Sequence, residues 1–85
     1  MSEAYDITET LDVKGQSCPM PVVKSKQAAD GLDEGEVLEV IATDSGSVSD
    51  IEGWANTTDG VELLDQDEGE EGGEAVFKHY VRKTE

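Results

Sequence analysis

Hydrophobic residues recur with two different periods along this 85-residue chain, and each period predicts a different kind of element. Apolar positions alternate with polar ones around Leu11 and Val13, which predicts a first strand over about residues 8–13. From Pro19 onward the steps become three and four residues, which predicts a helix. The buried stripe of this helix is expected to hold Val22, Ser25, Ala29 and Leu32, widened by Val23 and Ala28.

The second half of the chain shows the same change of period. An almost continuous apolar run over residues 37–42 predicts a strand that is buried on most of both faces. Residues 47–50 match a capping box, which predicts a second helix that stops near Gly60. The inward face of this helix is expected to hold Val48, Ile51, Trp54 and Ala55. Residues 61–64 begin a third strand, and residues 75–82 form a fourth.

Between the last two strands lies an acidic, glycine-rich segment, residues 65–74, which we expect to be a hairpin loop. The element order is then β-α-β-α-β-β. This order predicts an α+β fold, a two-layer α/β sandwich in which two helices cover one face of a four-stranded mixed sheet. At this length we expect a single domain over residues 8–83, preceded by a flexible N-terminal tail at residues 1–7.

The formal net charge of −15 comes from 21 acidic and six basic residues. Such a field repels phosphates and anionic membrane surfaces, so we expect no direct nucleic acid binding and no membrane binding. Strong acidity is typical of halophilic proteins, whose self-repulsion is screened by salt; an acidic protein from an ordinary habitat is the alternative. The sequence has no membrane-spanning run or signal peptide and a single cysteine, which together predict a cytoplasmic protein.

Cys18 is the only cysteine, so it can form neither an intramolecular disulfide nor a Cys-x-x-Cys redox pair. It lies where the first helix is expected to begin, and a helix N-terminus favours the thiolate through its dipole and its free N–H groups. Three of the six basic residues lie nearby in the sequence, namely Lys14, Lys24 and Lys26. We expect them to lower the thiol pKa and to attract an anionic partner surface. The alternative is a small buried cysteine among solvated lysines.

Other candidate sites carry weaker signals. His79 is the only histidine, and strand alternation favours a structural or edge position over a catalytic Cys–His pair. Trp54 is expected to lie in the core. The carboxylates of residues 65–74 lack the EF-hand spacing, which favours a solvated loop and no metal site. The chain has neither a P-loop nor a dinucleotide fingerprint, so we expect no cofactor.

The residues around Cys18 also resemble those of a known family. Gly15, Cys18, Pro19 and Pro21 form a Gly-x-x-Cys-Pro-x-Pro motif after Leu11-Asp12 that is similar to the signature of the TusA/SirA-like sulfur carrier family. The similarity covers about residues 8–83. It includes residues 34–38, Asp44, the segment 50–54 and the closing segment 77–83.

This resemblance implies that Cys18 carries sulfane sulfur as a persulfide, with Gly15, Pro19 and Pro21 as the scaffold of the motif. A cysteine desulfurase or rhodanese-type enzyme would donate the sulfur. A protein acceptor would take it onward, as in tRNA thiolation or cofactor sulfur supply. Such a chain is a stoichiometric sulfurtransferase-type carrier, not a free-standing turnover enzyme. The competing hypotheses are a redox-sensing or adaptor domain of the same fold and a purely structural interaction module.

Overall fold

The computed structural model describes residues 7–16 and 20–85. Cys18 and Pro19 of the motif, and residues 1–6 of the predicted tail, lie outside the described residues. The elements run in the predicted order: β1 (Ile7–Val13), α1 (Met20–Asp30), β2 (Val37–Ala42), α2 (Ser47–Thr57), β3 (Val61–Glu71) and β4 (Glu74–Lys83). Ile7 belongs to β1 and pairs with Val37, so a tail that extends to residue 7 is wrong by one residue.

The sheet has the strand order β1-β2-β4-β3. β1 and β2 are parallel, whereas β4 is antiparallel to both of its neighbours, β2 and β3. A parallel pair needs a crossover connection, and α1 supplies it between β1 and β2. α2 then carries the chain to the far edge, from which β4 returns between β2 and β3. This mixed sheet confirms the predicted α+β sandwich.

The core lies between the helices and one face of the sheet. Leu38, Val40 and Ala42 of β2 lie opposite Val81, His79 and Phe77 of β4, and all six are buried. The hydrophobic cluster consists of Val13, Leu32, Leu38, Val40, Ala42, Ile51 and Val81. Trp54, Val22 and Ala28 are partly buried against it, which confirms the core position of Trp54. Val23 is 37% exposed, so its predicted place in the buried stripe is wrong.

The segment 65–74 was expected to be a loop, and the structure corrects this. β3 continues to Glu71, and β4 begins at Glu74. Only Gly72 and Gly73 form the turn, with φ values of +59° and +85°. Two-residue hairpin turns need positive φ at their centre, which glycine adopts without steric cost. The strand pairing here uses backbone groups alone, so the charged side chains do not prevent it. We call residues 67–75, all of them exposed, the acidic ribbon.

The predicted capping box at residues 47–50 is also wrong. Gly46 occupies the N-cap position of α2, and no side chain caps the helix there. Ser47 is instead the first helical residue, and its hydroxyl contacts a ring nitrogen of buried His79 at 3.0 Å. α2 ends at Thr57, before Gly60, which forms the turn into β3 with φ +98°. In the part of the chain that the structure describes, no helix is both long and apolar enough to cross a membrane.

Candidate functional site

The chain leaves β1 through a turn that three hydrogen bonds hold in place. The backbone N–H of Lys14 donates to Asp12 Oδ1 at 2.9 Å, and that of Gln16 donates to the Val13 carbonyl at 3.1 Å. The N–H of Gly15 donates to Thr43 Oγ1 at 2.9 Å. Gly15 has φ +82°, a conformation that other residues adopt only with strain. The glycine of the motif is therefore the residue that allows this turn.

On the other side of the cysteine, α1 begins at Met20, two residues after Cys18 in the sequence. Pro21 lies in the first helical turn, where its missing N–H costs nothing because that group has no partner within the helix. The ring is buried, and the Pro21 carbonyl accepts a 2.6 Å hydrogen bond from Ser25 Oγ. The first turn contains no acidic residue, so no carboxylate within it offsets the positive end of the helix dipole.

Lys14 is paired with carboxylates in the structure. Its Nζ lies 3.0 Å from Glu71 Oε1 and 3.8 Å from Asp12 Oδ2. The hydrogen bond that Lys14 donates to Glu71, together with the charge of Asp12, raises the pKa of Lys14 above its ordinary value of 10.5. Lys14 therefore stays protonated, but two nearby negative charges offset its field. Sequence reasoning missed Glu71 because it lies 57 residues away, at the end of the acidic ribbon.

Lys24 and Lys26 lie on α1, and neither forms an ion pair with any residue in the ranges 7–16 and 20–85. Met20 and Val23, on the same helix, are 39% and 37% exposed. The structure thus gives α1 a surface that is both apolar and basic. We call these four residues, Met20, Val23, Lys24 and Lys26, the α1 patch.

The basic residues of β4 have different contacts. Lys83 Nζ donates to the Ala29 carbonyl at 3.0 Å, at the C-terminal end of α1, where a cation is favourable. Arg82 forms an ion pair with Glu62. Lys83 supplies the positive charge at this end of α1, because the helix has no basic residue in its own last turn. Two of the three basic residues of β4 therefore have contacts within the fold.

His79 lies in the interior of the protein, with none of its surface exposed. Its Nε2 lies 3.0 Å from Ser47 Oγ, and its Nδ1 lies 3.0 Å from the amide nitrogen of Gln66. The Gln66 amide nitrogen also donates to the Val48 carbonyl at 2.9 Å. Because an amide nitrogen can only donate, Nδ1 of His79 accepts, and the ring proton resides on Nε2. Burial lowers the pKa of His79 to about 4. A structural role is confirmed, but an edge position is wrong because β4 is an inner strand.

No group of three or more His, Cys, Asp or Glu side chains that could hold a metal ion lies within the described ranges. The acidic ribbon carries five carboxylates, and one of them, Glu71, forms an ion pair with Lys14. The described features that flank residues 17–19 in the sequence are the turn at residues 13–16, the start of α1 and the α1 patch.

Comparisons with known proteins identify chains that are similar to this one. The family model described as Sulfurtransferase TusA matches residues 9–83. A provisionally named sulfur carrier protein of Halobacterium salinarum is 71% identical over 84 residues, which are 99% of each chain. The sulfur carrier protein TusA of Allochromatium vinosum is 42% identical over 79 residues, covering 93% of this chain and 97% of the relative.

A solved structure has the same fold. The crystal structure of a SirA-like protein from Desulfitobacterium hafniense superposes with a TM-score of 0.63 and covers 86% of this chain and 95% of its own. The two sequences are 24% identical, a level at which the likeness supports the fold alone.

Proposed function

Because this chain belongs to the TusA sulfurtransferase family, we propose that Cys18 carries sulfane sulfur as a persulfide and relays it between proteins. Relatives that are named as sulfur carriers support a sulfur carrier role for the chain. The observation that carries the proposal is the family match over residues 9–83 of a chain that has a single sulfhydryl group. We place this relay in the cytoplasm, in the single domain that covers residues 8–83.

The proposed relay consists of two thiol–disulfide-type exchanges. In loading, the Cys18 thiolate attacks the outer sulfur of a donor persulfide. The donor's S–S bond breaks, a new S–S bond forms on Cys18, and the donor leaves as a thiolate. In delivery, an acceptor thiolate attacks the outer sulfur of the Cys18 persulfide, and Cys18 leaves as a thiolate. One sulfur atom moves in each step, and the reaction needs no external oxidant or reductant.

The environment of the motif supports a thiolate at Cys18. The N-terminus of α1 follows it in the sequence, and Lys24 and Lys26 lie on that helix without carboxylate partners in the described part of the chain. Lys14 contributes less because Glu71 and Asp12 already pair with it. We therefore propose that α1 and its lysines lower the thiol pKa more than Lys14 does. The roles of Gly15, Pro19 and Pro21 as the scaffold of the motif belong to the same proposal.

We propose proteins as both partners: a cysteine desulfurase or rhodanese-type donor, and a downstream acceptor. The α1 patch supports this because its exposed apolar side chains, and its lysines without ion pairs among the described residues, fit an acidic protein surface with an apolar centre. A net charge of −15 opposes direct contact with RNA phosphates. If the sulfur ends in a thiolated tRNA or in a cofactor, the acceptor protein delivers it there.

Intact mass spectrometry tests the carrier chemistry directly. The protein is incubated with a cysteine desulfurase and cysteine, and in parallel with a rhodanese-type donor. Loading adds one sulfur atom, about 32 Da by atomic mass, and the adduct disappears on reduction because the terminal sulfur of a persulfide is reducible. Cys18→Ser is the matched control and should gain no mass.

A protein that gains no sulfur from either type of donor would contradict the carrier proposal. If peroxide adds oxygen atoms in steps of about 16 Da and no donor adds sulfur, a redox-sensing domain of the same fold is favoured. Loading that also occurs in Cys18→Ser would place the sulfur on another group and would contradict the assignment of Cys18.

A further inference from the structure

A hydroxyl from the loop after β2 reaches the turn before Cys18. Thr43 lies directly after β2, and its Oγ1 accepts the N–H of Gly15 at 2.9 Å. The two residues are 28 positions apart in the sequence, so this contact exists only in the folded chain. Gly15 lies three residues before Cys18 and has φ +82°. The bond therefore joins the cysteine motif to a second loop of the protein at the residue that shapes its turn.

The loop that bears Thr43 is itself held in place by local hydrogen bonds. Gly46 N–H donates to Asp44 Oδ1 at 3.1 Å, and Ser47 N–H donates to the Asp44 carbonyl at 3.0 Å. These bonds form a tight turn that leads directly into α2. Such a turn restricts the conformations of residues 43–46 and hence the position from which the Thr43 hydroxyl meets Gly15.

The start of α2 is in turn fixed from the protein interior. We call Ser47, Gln66 and His79 the buried polar network. His79 contacts the Ser47 hydroxyl, and Gln66 bonds both His79 and the Val48 carbonyl in the first turn of α2. Ser47 and His79 are 1% and 0% exposed, so water does not compete for the bond between them, and the bonds of Gln66 are partly buried. The network holds the first turn of α2 against β3 and β4.

We propose that Thr43 is a positioning residue for Cys18, which it orients through the N–H of Gly15. The proposal rests on the carrier function proposed above. The turn before the cysteine is then not fixed by the motif residues alone. Its geometry is set by a threonine whose loop is attached, through α2 and the buried polar network, to β3 and β4.

Three substitutions separate positioning from general stability. Thr43→Val keeps the shape of the side chain and removes the acceptor, whereas Thr43→Ser keeps the acceptor. Thr10→Val is the matched control, because it removes a threonine hydroxyl that donates to Glu39 at 3.1 Å on the neighbouring strands. Each variant is compared with the wild type by amide hydrogen exchange at Gly15, by the pH profile of Cys18 alkylation with iodoacetamide, and by the rate of sulfur loading from a cysteine desulfurase.

In Thr43→Val, the exchange rate of the Gly15 amide should rise about fivefold, the size expected for one lost neutral hydrogen bond. The alkylation midpoint should move to higher pH, because a less ordered turn before Cys18 should favour the thiolate less. Sulfur loading should slow. Thr43→Ser should restore all three quantities, and Thr10→Val should match the wild type in all three.

An alkylation profile and a loading rate that are unchanged in Thr43→Val would overturn the proposal, as would a failure of Thr43→Ser to restore them. If Thr43→Val does not fold, Thr43→Ala enters the same comparison with Thr43→Ser. A wild-type protein that accepts no sulfur at all would contradict the carrier function instead. In that case the exchange and alkylation measurements still decide whether Thr43 orients Cys18.

Discussion

The β3–β4 hairpin is hydrogen-bonded along both of its halves, yet these halves lie in opposite environments. Toward its C-terminus, Val81 faces Leu38 across the ladder, and neither side chain is exposed. In the acidic ribbon, Glu74 faces Glu71, and both are exposed. The β3–β4 pairing is regular through the ribbon, whereas in the buried half β4 pairs regularly with β2 but its ladder with β3 has a register shift between Leu63 and Asp65. The comparison shows that strand pairing and burial are separate properties here, and that stability should come from the buried half.

Polar groups in the two regions also differ in their partners. In the buried half, His79 is neutral and both of its ring nitrogens have partners. The ribbon holds five carboxylates, and an ion pair joins Glu71 to Lys14 at the surface. A buried polar group must be paired because water cannot replace a missing partner, whereas exposed charges are solvated. The buried half should therefore respond to core substitutions and to pH, and the ribbon to salt.

The largest expected effect comes from the core. Leu38→Ala removes a fully buried side chain and should cost about 2–5 kcal/mol of unfolding free energy. Glu70→Ala in the ribbon is the comparison variant and should change stability by less than about 0.5 kcal/mol. Urea unfolding of both variants in 2 M KCl measures the difference. Equal losses in the two variants would contradict the contrast between the two regions.

The second effect concerns pH and His79. The pKa of His79 is about 4 in the folded protein, below its ordinary value of 6.5, so the unfolded chain binds the proton more tightly. The contribution of His79 to the free energy of unfolding is complete above pH 6.5. It is lost as the pH falls toward 4, and the loss reaches up to about 3 kcal/mol. His79→Phe should lack this pH-dependent loss of stability.

Urea unfolding at pH 7 and at pH 4.5 measures the slope for both proteins, and the difference between them isolates His79 from the carboxylates. If both proteins show the same slope, the buried network does not depend on a neutral ring. The contacts of the ring support the expected direction, since a proton on Nδ1 would face the amide nitrogen of Gln66.

The smallest effect concerns salt and the ribbon. Changing Glu68, Glu70 and Glu74 to glutamine should raise the unfolding midpoint in 0.1 M KCl by about 3 °C, because it relieves repulsion between neighbouring carboxylates. In 2 M KCl, where such charges are screened over about 3 Å or less, the gain should disappear. The control changes Glu9, Asp30 and Glu52, which lie in three different elements, to their amides.

Both triple variants remove three charges, so net charge alone predicts equal gains. A larger gain for the ribbon variant would show that the local density of charge matters. The unmodified protein tests the halophile hypothesis in the same experiment. A midpoint that does not rise between 0.1 and 2 M KCl would contradict it.

Much of the fold was predictable because hydrophobic period reflects which side of an element is covered. The run at residues 37–42 has the composition of a strand covered on both faces, and β2 has those bounds. The inward positions of α2 were predicted for the same reason, and Ile51 and Ala55 are buried there. The ribbon was not predicted as strand, because exposed strands bury no apolar side chains and leave no hydrophobic period to detect.

Some features of the candidate site were likewise predictable from the sequence, and others were not. The sequence alone determined that any thiol chemistry passes through Cys18, that a loop containing a glycine precedes it and that a helix follows it. Only the tertiary structure decided which distant groups meet that turn: Thr43 bonds Gly15, and Glu71 pairs with Lys14. The physical reason is that turn geometry and helix starts depend on neighbouring residues, whereas hydrogen bonds and ion pairs between loops depend on how the sheet brings distant segments together.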